Sequence, residues 1–130
     1  MNAADLAESA REAAERAYAP YSGFRVGSVV VADDGAVYSG SNVENAAFGS
    51  AICAEGVAIS HAVASGARKI PTVAVACIDA DSVDGAYPCG NCLQLMNEFG
   101  VERVIVTAGS GQLREHTFDE LLPYGFKLES

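Results

Sequence analysis

The sequence predicts an α/β fold, a three-layer α-β-α sandwich around a mixed sheet of about five strands. Three features predict it. After an N-terminal helical segment, strand and helix patterns follow one another in the order β-β-α-β-α-β. Residues 72–78 are apolar on both faces, as a strand covered by helices on two sides must be. Residues 26–32 and 36–40 flank Asp33-Asp34-Gly35, a hairpin signal, so an antiparallel pair joins the crossover-connected strands.

Residues 2–17 are rich in alanine and charge, with Leu6, Ala10, Ala13, Ala14 and Ala17 on one helical stripe. Pro20 ends that helix. Residues 18–24 read as a loop that carries aromatics among its turn residues. Ser50 is placed to cap a helix over residues 53–65, which Gly66 stops. The turn-rich stretch 79–87 precedes Pro88, and a further helix over 89–99 ends at Gly100. Residues 103–107 form the next strand and 108–111 a loop, and the tail holds a short strand with one helical turn near 119–122.

The length of 130 residues predicts a single domain spanning 1–130, able to bury a real core. Half the chain is hydrophobic and 19% is charged, which excludes a disordered chain. A formal net charge of −9 with no Lys/Arg run excludes binding to a nucleic acid polymer. No apolar run is long enough to span a membrane, and residues 1–5 lack the basic and apolar blocks of a signal peptide. These features predict a cytoplasmic protein whose four cysteines are reduced: metal ligands, catalytic thiols or core residues.

Both internal helices begin at cysteines, in Cys53-Ala54-Glu55 and Pro88-Cys89-Gly90-Asn91-Cys92. Cys89 and Cys92 are three apart at a helix start, so their sulfurs share a face and can hold one ion. The positive end of each helix favours thiolates. If the two helix starts meet, Cys53 adds a third thiolate and leaves the open fourth position of a catalytic zinc, where a bound water becomes acidic. Glu55 is close enough to reach that water without being a ligand, and a carboxylate there can carry its proton to a substrate nitrogen. A dithiol redox site also uses C-x-x-C, and a structural Cys₄ site would need a second close pair that Cys53 and Cys77 do not form. Cys77, between Ala76 and Ile78 in the apolar strand, reads as a core residue, and His61 and His116 as ordinary structural or surface histidines.

C-A-E followed by P-C-x-x-C resembles the zinc nucleoside deaminases in their three-cysteine variant. The likeness extends over nearly the whole chain, through residues 19–27, 40–46, 52–55, 88–92 and 120–126, and is greatest to the short, homotetrameric cytidine deaminases. The resemblance implies one Zn²⁺ per chain held by Cys53, Cys89 and Cys92, with Glu55 as proton shuttle. It further implies that Phe24 packs on the pyrimidine ring and that Asn42 and Glu44 hold the ribose 3′-hydroxyl. The backbone at Ala54 meets the base edge, and Phe48 and Phe126 match aromatics that arrive from neighbouring subunits of a homotetramer. The implied reaction is hydrolytic deamination of cytidine and 2′-deoxycytidine to the uridine product and ammonia, with a free nucleoside as substrate.

Two positions depart from that pattern. Gly56 and Leu93 stand where the tetrameric cytidine deaminases usually carry arginines that offset the charge of the zinc thiolates. Three readings accommodate the departures: an ordinary cytidine deaminase with altered charge balance, a deaminase of a modified cytosine nucleoside of the blasticidin type, or a catalytically weak protein that binds zinc and nucleoside. The retained Asn42-Val43-Glu44 block, expected to hold an intact ribose, favours the first. Arg25 or another basic residue is a candidate to be recruited in their place.

Overall fold

The chain opens with a reciprocal cap. The Asn2 side chain accepts from the Asp5 backbone N–H at 2.9 Å, and the Asp5 carboxylate accepts from the Asn2 N–H at 3.3 Å. Helix α1 (Ala3–Ala14) follows in this computed structural model, which describes residues 1–129. The helix is shorter than the 2–17 that its composition predicts. Arg16 and Ala17 bond back to Ala13 and Ala14 in tight turns, and Tyr18 then pairs with the backbone of Asn42 and Glu44. That bridge needs extended chain, so the helix must stop before it.

Strands β1 (Val26–Val31) and β2 (Val37–Ser41) form the expected antiparallel hairpin. Helix α2 (Ala54–Ala64) leads to β3 (Thr72–Cys77), α3 (Gly90–Glu98) to β4 (Arg103–Ala108), and a loop to β5 (Leu113–Thr117) and the four-residue α4 (Phe118–Leu121). The sheet order is β2-β1-β3-β4-β5. Only β3 and β4 are parallel, and α3 supplies the crossover that a parallel pair requires.

Strand residues alternate between the two helix layers. Val29, Ala74, Ala76 and Ile105 meet Leu6, Ala7 and Ala10 of α1. On the other face Val30, Val73, Val75, Val104 and Val106 join Ala58, Ile59 and Ala62 of α2 and Met96 of α3. This is the sandwich the alternation predicts.

Two glycines let the helices touch the sheet backbone. A β-carbon at Gly27 would sit 2.0 Å from the Ala10 carbonyl oxygen of α1. One at Gly40 would sit 2.4 Å from the Ala58 nitrogen and 2.8 Å from the Ala54 oxygen of α2. The start of α2, and Glu55 with it, is therefore seated directly on β2.

Ser50 does not cap α2. It lies in a short 3₁₀ turn, where its hydroxyl donates to the Asn45 side chain or the Ala47 carbonyl, both at 2.9 Å. A two-way bridge between Val43 and Ile52 holds the next stretch extended, so the helix cannot begin until Cys53 takes the cap position.

Gly40→Ala should lower stability by about 1–3 kcal/mol, because backbone rather than a flexible side chain opposes the added methyl. Gly49→Ala, with nothing within 4 Å of its would-be β-carbon, should change it by under about 0.5 kcal/mol in the same urea titration.

Candidate active site

Cys53 occupies the cap position of α2 and Cys89 that of α3, and neither cap makes a side-chain hydrogen bond to its helix. Both helices thus present free N–H groups and their positive ends beside thiols. Cys92 lies in the first turn of α3 and is buried. The three sulfurs lie within 4.8 Å of one another, the meeting that the sequence required of the two helix starts. Hydrogen bonds from Cys92 and then Cys89 pull the Cys53 thiol down to about 6, while Cys92, as the donor, is pushed up.

Tetrahedral thiolates at a zinc–sulfur distance of about 2.3 Å stand roughly 3.8 Å apart. The three sulfurs, within 4.8 Å of one another, would close by at most about 1 Å on an ion, and three soft sulfur donors gathered at one point suit Zn²⁺. Cys53, Cys89 and Cys92 fit one Zn²⁺ per chain.

Beside the sulfurs is a cavity of about 330 Å³. Glu55, the second residue of α2, lines it although only 4% of its surface is exposed. Burial pushes its carboxyl up to about 7, and the neighbouring Cys53 adds to the rise. Phe24, Asn42, Glu44 and Ala54 line the same cavity, so these predicted residues do come together. The Asn42 side chain accepts from Val26 N–H and donates to the Phe24 carbonyl, both at 2.9 Å, which fixes the backbone on either side of Arg25. The Glu44 carboxylate accepts from the Ser22 hydroxyl and from the N–H groups of Ser22 and Tyr21, which hold it below the usual carboxylate range.

Phe48 and Phe126 lie elsewhere. Phe48 is 70% exposed and stands edge-on to Tyr21, ring centroids 5.3 Å apart, over a second cavity of about 290 Å³. Phe126 is 66% exposed on the tail. Neither lines the cavity beside the sulfurs in its own chain.

Several wall residues escaped the sequence reading. Ser22 fixes Glu44 across twenty-two positions, a contact no local pattern announces. Cys77 is in the core as predicted, and it also lines the cavity; burial pushes its thiol up to about 12. Tyr87 lines the wall too, its hydroxyl 2.7 Å from His116 Nε2 and 3.3 Å from Arg114. Only its place two residues before Cys89 hinted at this. His116 Nδ1 lies 3.2 Å from Glu120, and His61 packs edge-on against Tyr38, so both histidines have structural surroundings.

The two departures have distinct surroundings. A β-carbon at Gly56 would meet only Ile52, at an ordinary 3.6 Å, so the position has room. Leu93 packs against the core. Arg25 is not turned to the sulfurs: its guanidinium makes paired bonds of 2.9 and 3.0 Å to Asp79 and reaches Glu15 at 3.4 Å. Among the described residues, no Lys, Arg or His lines the cavity. The helix ends are its positive elements.

A three-cysteine cluster at two converging helix starts, with a buried glutamate in the first turn, defines a class of zinc-dependent deaminase sites. The family model for the cytidine and deoxycytidylate deaminase zinc-binding region matches residues 1–108, and the chain belongs to that family. It is 39% identical to the cytidine deaminase of Sporosarcina psychrophila, covering 99% of this chain and 94% of the relative. Identity to the cytidine deaminase of Halalkalibacterium halodurans is 40%, over 95% and 93% of the two chains. Among solved structures, cytidine deaminase from Burkholderia pseudomallei superposes with a TM-score of 0.88 at 40% identity, covering 97% of this chain and all of the other. That from Mycobacterium tuberculosis gives 0.81 at 32% identity, over 98% and 99%.

Zn²⁺ should protect the exposed Cys53 and Cys89 from iodoacetamide, with the protection lost on chelation, whereas the buried Cys77 and Cys92 should react slowly in both states. Peptide mass mapping of the labelled thiols reads the four sites separately.

Proposed function

We propose that this protein catalyses hydrolytic deamination of cytidine and 2′-deoxycytidine, releasing the uridine product and ammonia. The observation that carries the reading is Glu55, buried in the cavity beside three thiols gathered from two helix starts. Cys53, Cys89 and Cys92 would hold Zn²⁺, whose Lewis acidity supplies a water nucleophile at neutral pH.

The chain's own groups do the rest. Glu55, with a carboxyl near neutrality, is suited both to take a proton and to give one back. It accepts a proton from the attacking water and delivers it to N3 of the base. The water oxygen bonds C4, and Glu55 then takes the second proton from the hydroxyl now on C4 and passes it to the amino group. The C4–N bond breaks, ammonia leaves and the C4 carbonyl of the uridine product forms. Phe24 offers a flat apolar face to the pyrimidine, and the Ala54 backbone meets the base edge. Asn42 and Glu44, anchored in the cavity wall by their own hydrogen bonds, keep capacity for the ribose 3′-hydroxyl.

Exposed apolar side chains near the cavity support an oligomeric reading. Ile52 in its wall, and Tyr21 and Phe48 over the second cavity that shares Ser22, Glu44 and Ala51 with it, are more than half exposed, and Phe126 is exposed on the tail. A homotetramer in which neighbouring copies bring Phe48 and Phe126 to each other's sites would cover these surfaces. Cytoplasmic pyrimidine salvage is the setting that suits a free nucleoside substrate, and no helix among the described residues is long and apolar enough to cross a membrane.

Glu55→Gln should keep one zinc per chain by metal analysis and lose about 10²–10⁴-fold in kcat; turnover near the parent's would overturn the shuttle role. In a panel of cytidine, deoxycytidine, their 5′-monophosphates and N4- or C5-modified analogues, the two nucleosides should be preferred. Glu44 and Glu55 line a cavity that no basic side chain among the described residues lines, so the monophosphates should lose at least about tenfold in kcat/KM.

A further inference from the structure

We propose that Gln94 and Asn97 are positioning residues that aim Phe126 at the cavity of a second copy of this chain. The inference rests on the reading of Phe126 just given and adds the device that holds it. Gln94 and Asn97 are three apart on α3, so their side chains share a face. Gln94 Nε2 donates to the Phe126 carbonyl at 3.0 Å and Asn97 Nδ2 donates to the same oxygen at 2.8 Å. Both lone pairs of that carbonyl are engaged by one helix.

The chain just before Phe126 is shaped to reach this clasp. Tyr124 has φ +55°, the sole positive φ of a non-glycine among the described residues, although its side chain is fully exposed and gains no burial. Gly125 lies so close to α3 that a β-carbon would stand 2.9 Å from the Asn97 amide. A reversed turn, a close glycine and two amides thus fix the Phe126 backbone, while its ring is 66% exposed and Leu128 is 85% exposed. A backbone held this firmly beneath an outward-facing aromatic ring is organised for a contact outside its own chain.

The same helix carries Cys92 in its first turn. Asn97 lies five residues further on, about 7.5 Å along the axis. One short rigid element therefore registers the tail against the chain's own sulfur cluster. Where copies assemble symmetrically, each α3 would set a metal ligand in one site and the aromatic wall of another.

The test uses the zinc-loaded full chain with four variants: Phe126→Ala, Asn97→Asp, the double Gln94→Ala/Asn97→Ala, and that double combined with Phe126→Ala. KM and kcat for cytidine, zinc per chain, mass in solution and Tm are measured for each. Asn97→Asp keeps the shape and replaces the donor with an acceptor. The double variant should raise KM at least fivefold, toward the Phe126→Ala value, with kcat within twofold of the parent and zinc, mass and Tm unchanged. Asn97→Asp should shift KM in the same direction. Adding Phe126→Ala to the double should change KM no further, since the clasp acts through that ring. A raised KM in Phe126→Ala beside a parental KM in the double variant would overturn the clasp alone. A parental KM in Phe126→Ala would overturn the reading of Phe126 and the clasp with it. Loss of zinc or dissociation in the double variant would make the clasp a stability element and overturn the positioning role.

Discussion

Two helices without side-chain caps begin at the same point, and the rest of the site depends on that convergence. Each N-terminus leaves backbone N–H groups free and directs a partial positive charge at the sulfurs of Cys53, Cys89 and Cys92. The sheet makes the meeting possible. Helix α2 links β2 to β3 and α3 links β3 to β4, both crossovers stepping the same way along the sheet with the same hand, so both helices lie on one face. Gly40 then lets α2 settle onto β2 backbone to backbone. Crowding there would displace Cys53 and Glu55 together, because the cap residue and the buried carboxylate move as one rigid turn.

The electrostatics of the cavity follow from the same convergence. Three thiols and two carboxylates border a space that no basic side chain among the described residues lines. Arg25, the cation closest in sequence to the cavity wall, is held by Asp79 and Glu15. The helix ends supply the opposing charge, and Zn²⁺ would supply the remainder. Gly56 and Leu93 belong to this balance: one leaves open space beside Ile52 and the other joins the core. Glu55 meets the problem differently, since burial raises its affinity for a proton and lets it be neutral near pH 7. An acidic site of this kind disfavours a substrate that brings further negative charge.

Much of the fold was legible because its signals are local. The hairpin turn at Asp33-Asp34-Gly35, the doubly apolar β3 and the helix stops at Gly66 and Gly100 each act within a few residues of themselves. The local reading failed at Ser50 and at the end of α1, and for one reason. In both places an extended bridge to Val43, from Ile52 or from Tyr18, competes with helix and wins. Such bridges join residues nine and twenty-five positions apart, beyond the few-residue window in which helix propensity acts. Ser22 on Glu44 and His116 on Tyr87 escaped notice likewise, as contacts that exist only after folding.

The sequence by itself determined the chemistry available: C-A-E and P-C-x-x-C at predicted helix starts, an acidic balance of −9, and one further cysteine in an apolar strand. Spacing within a helix is set by its own geometry, so Cys89 and Cys92 could be paired without knowledge of anything else. The tertiary structure decided what spacing cannot reach. It brought Cys53 to that pair across thirty-six residues, buried Glu55 beside them and drew Asn42 and Glu44 into the wall of the same cavity. It left Phe48 and Phe126 exposed and outside the lining of their own cavity. Distance along a chain carries little information about distance in space once the chain folds back through a sheet, and a site assembled from several segments exists only in the packed molecule.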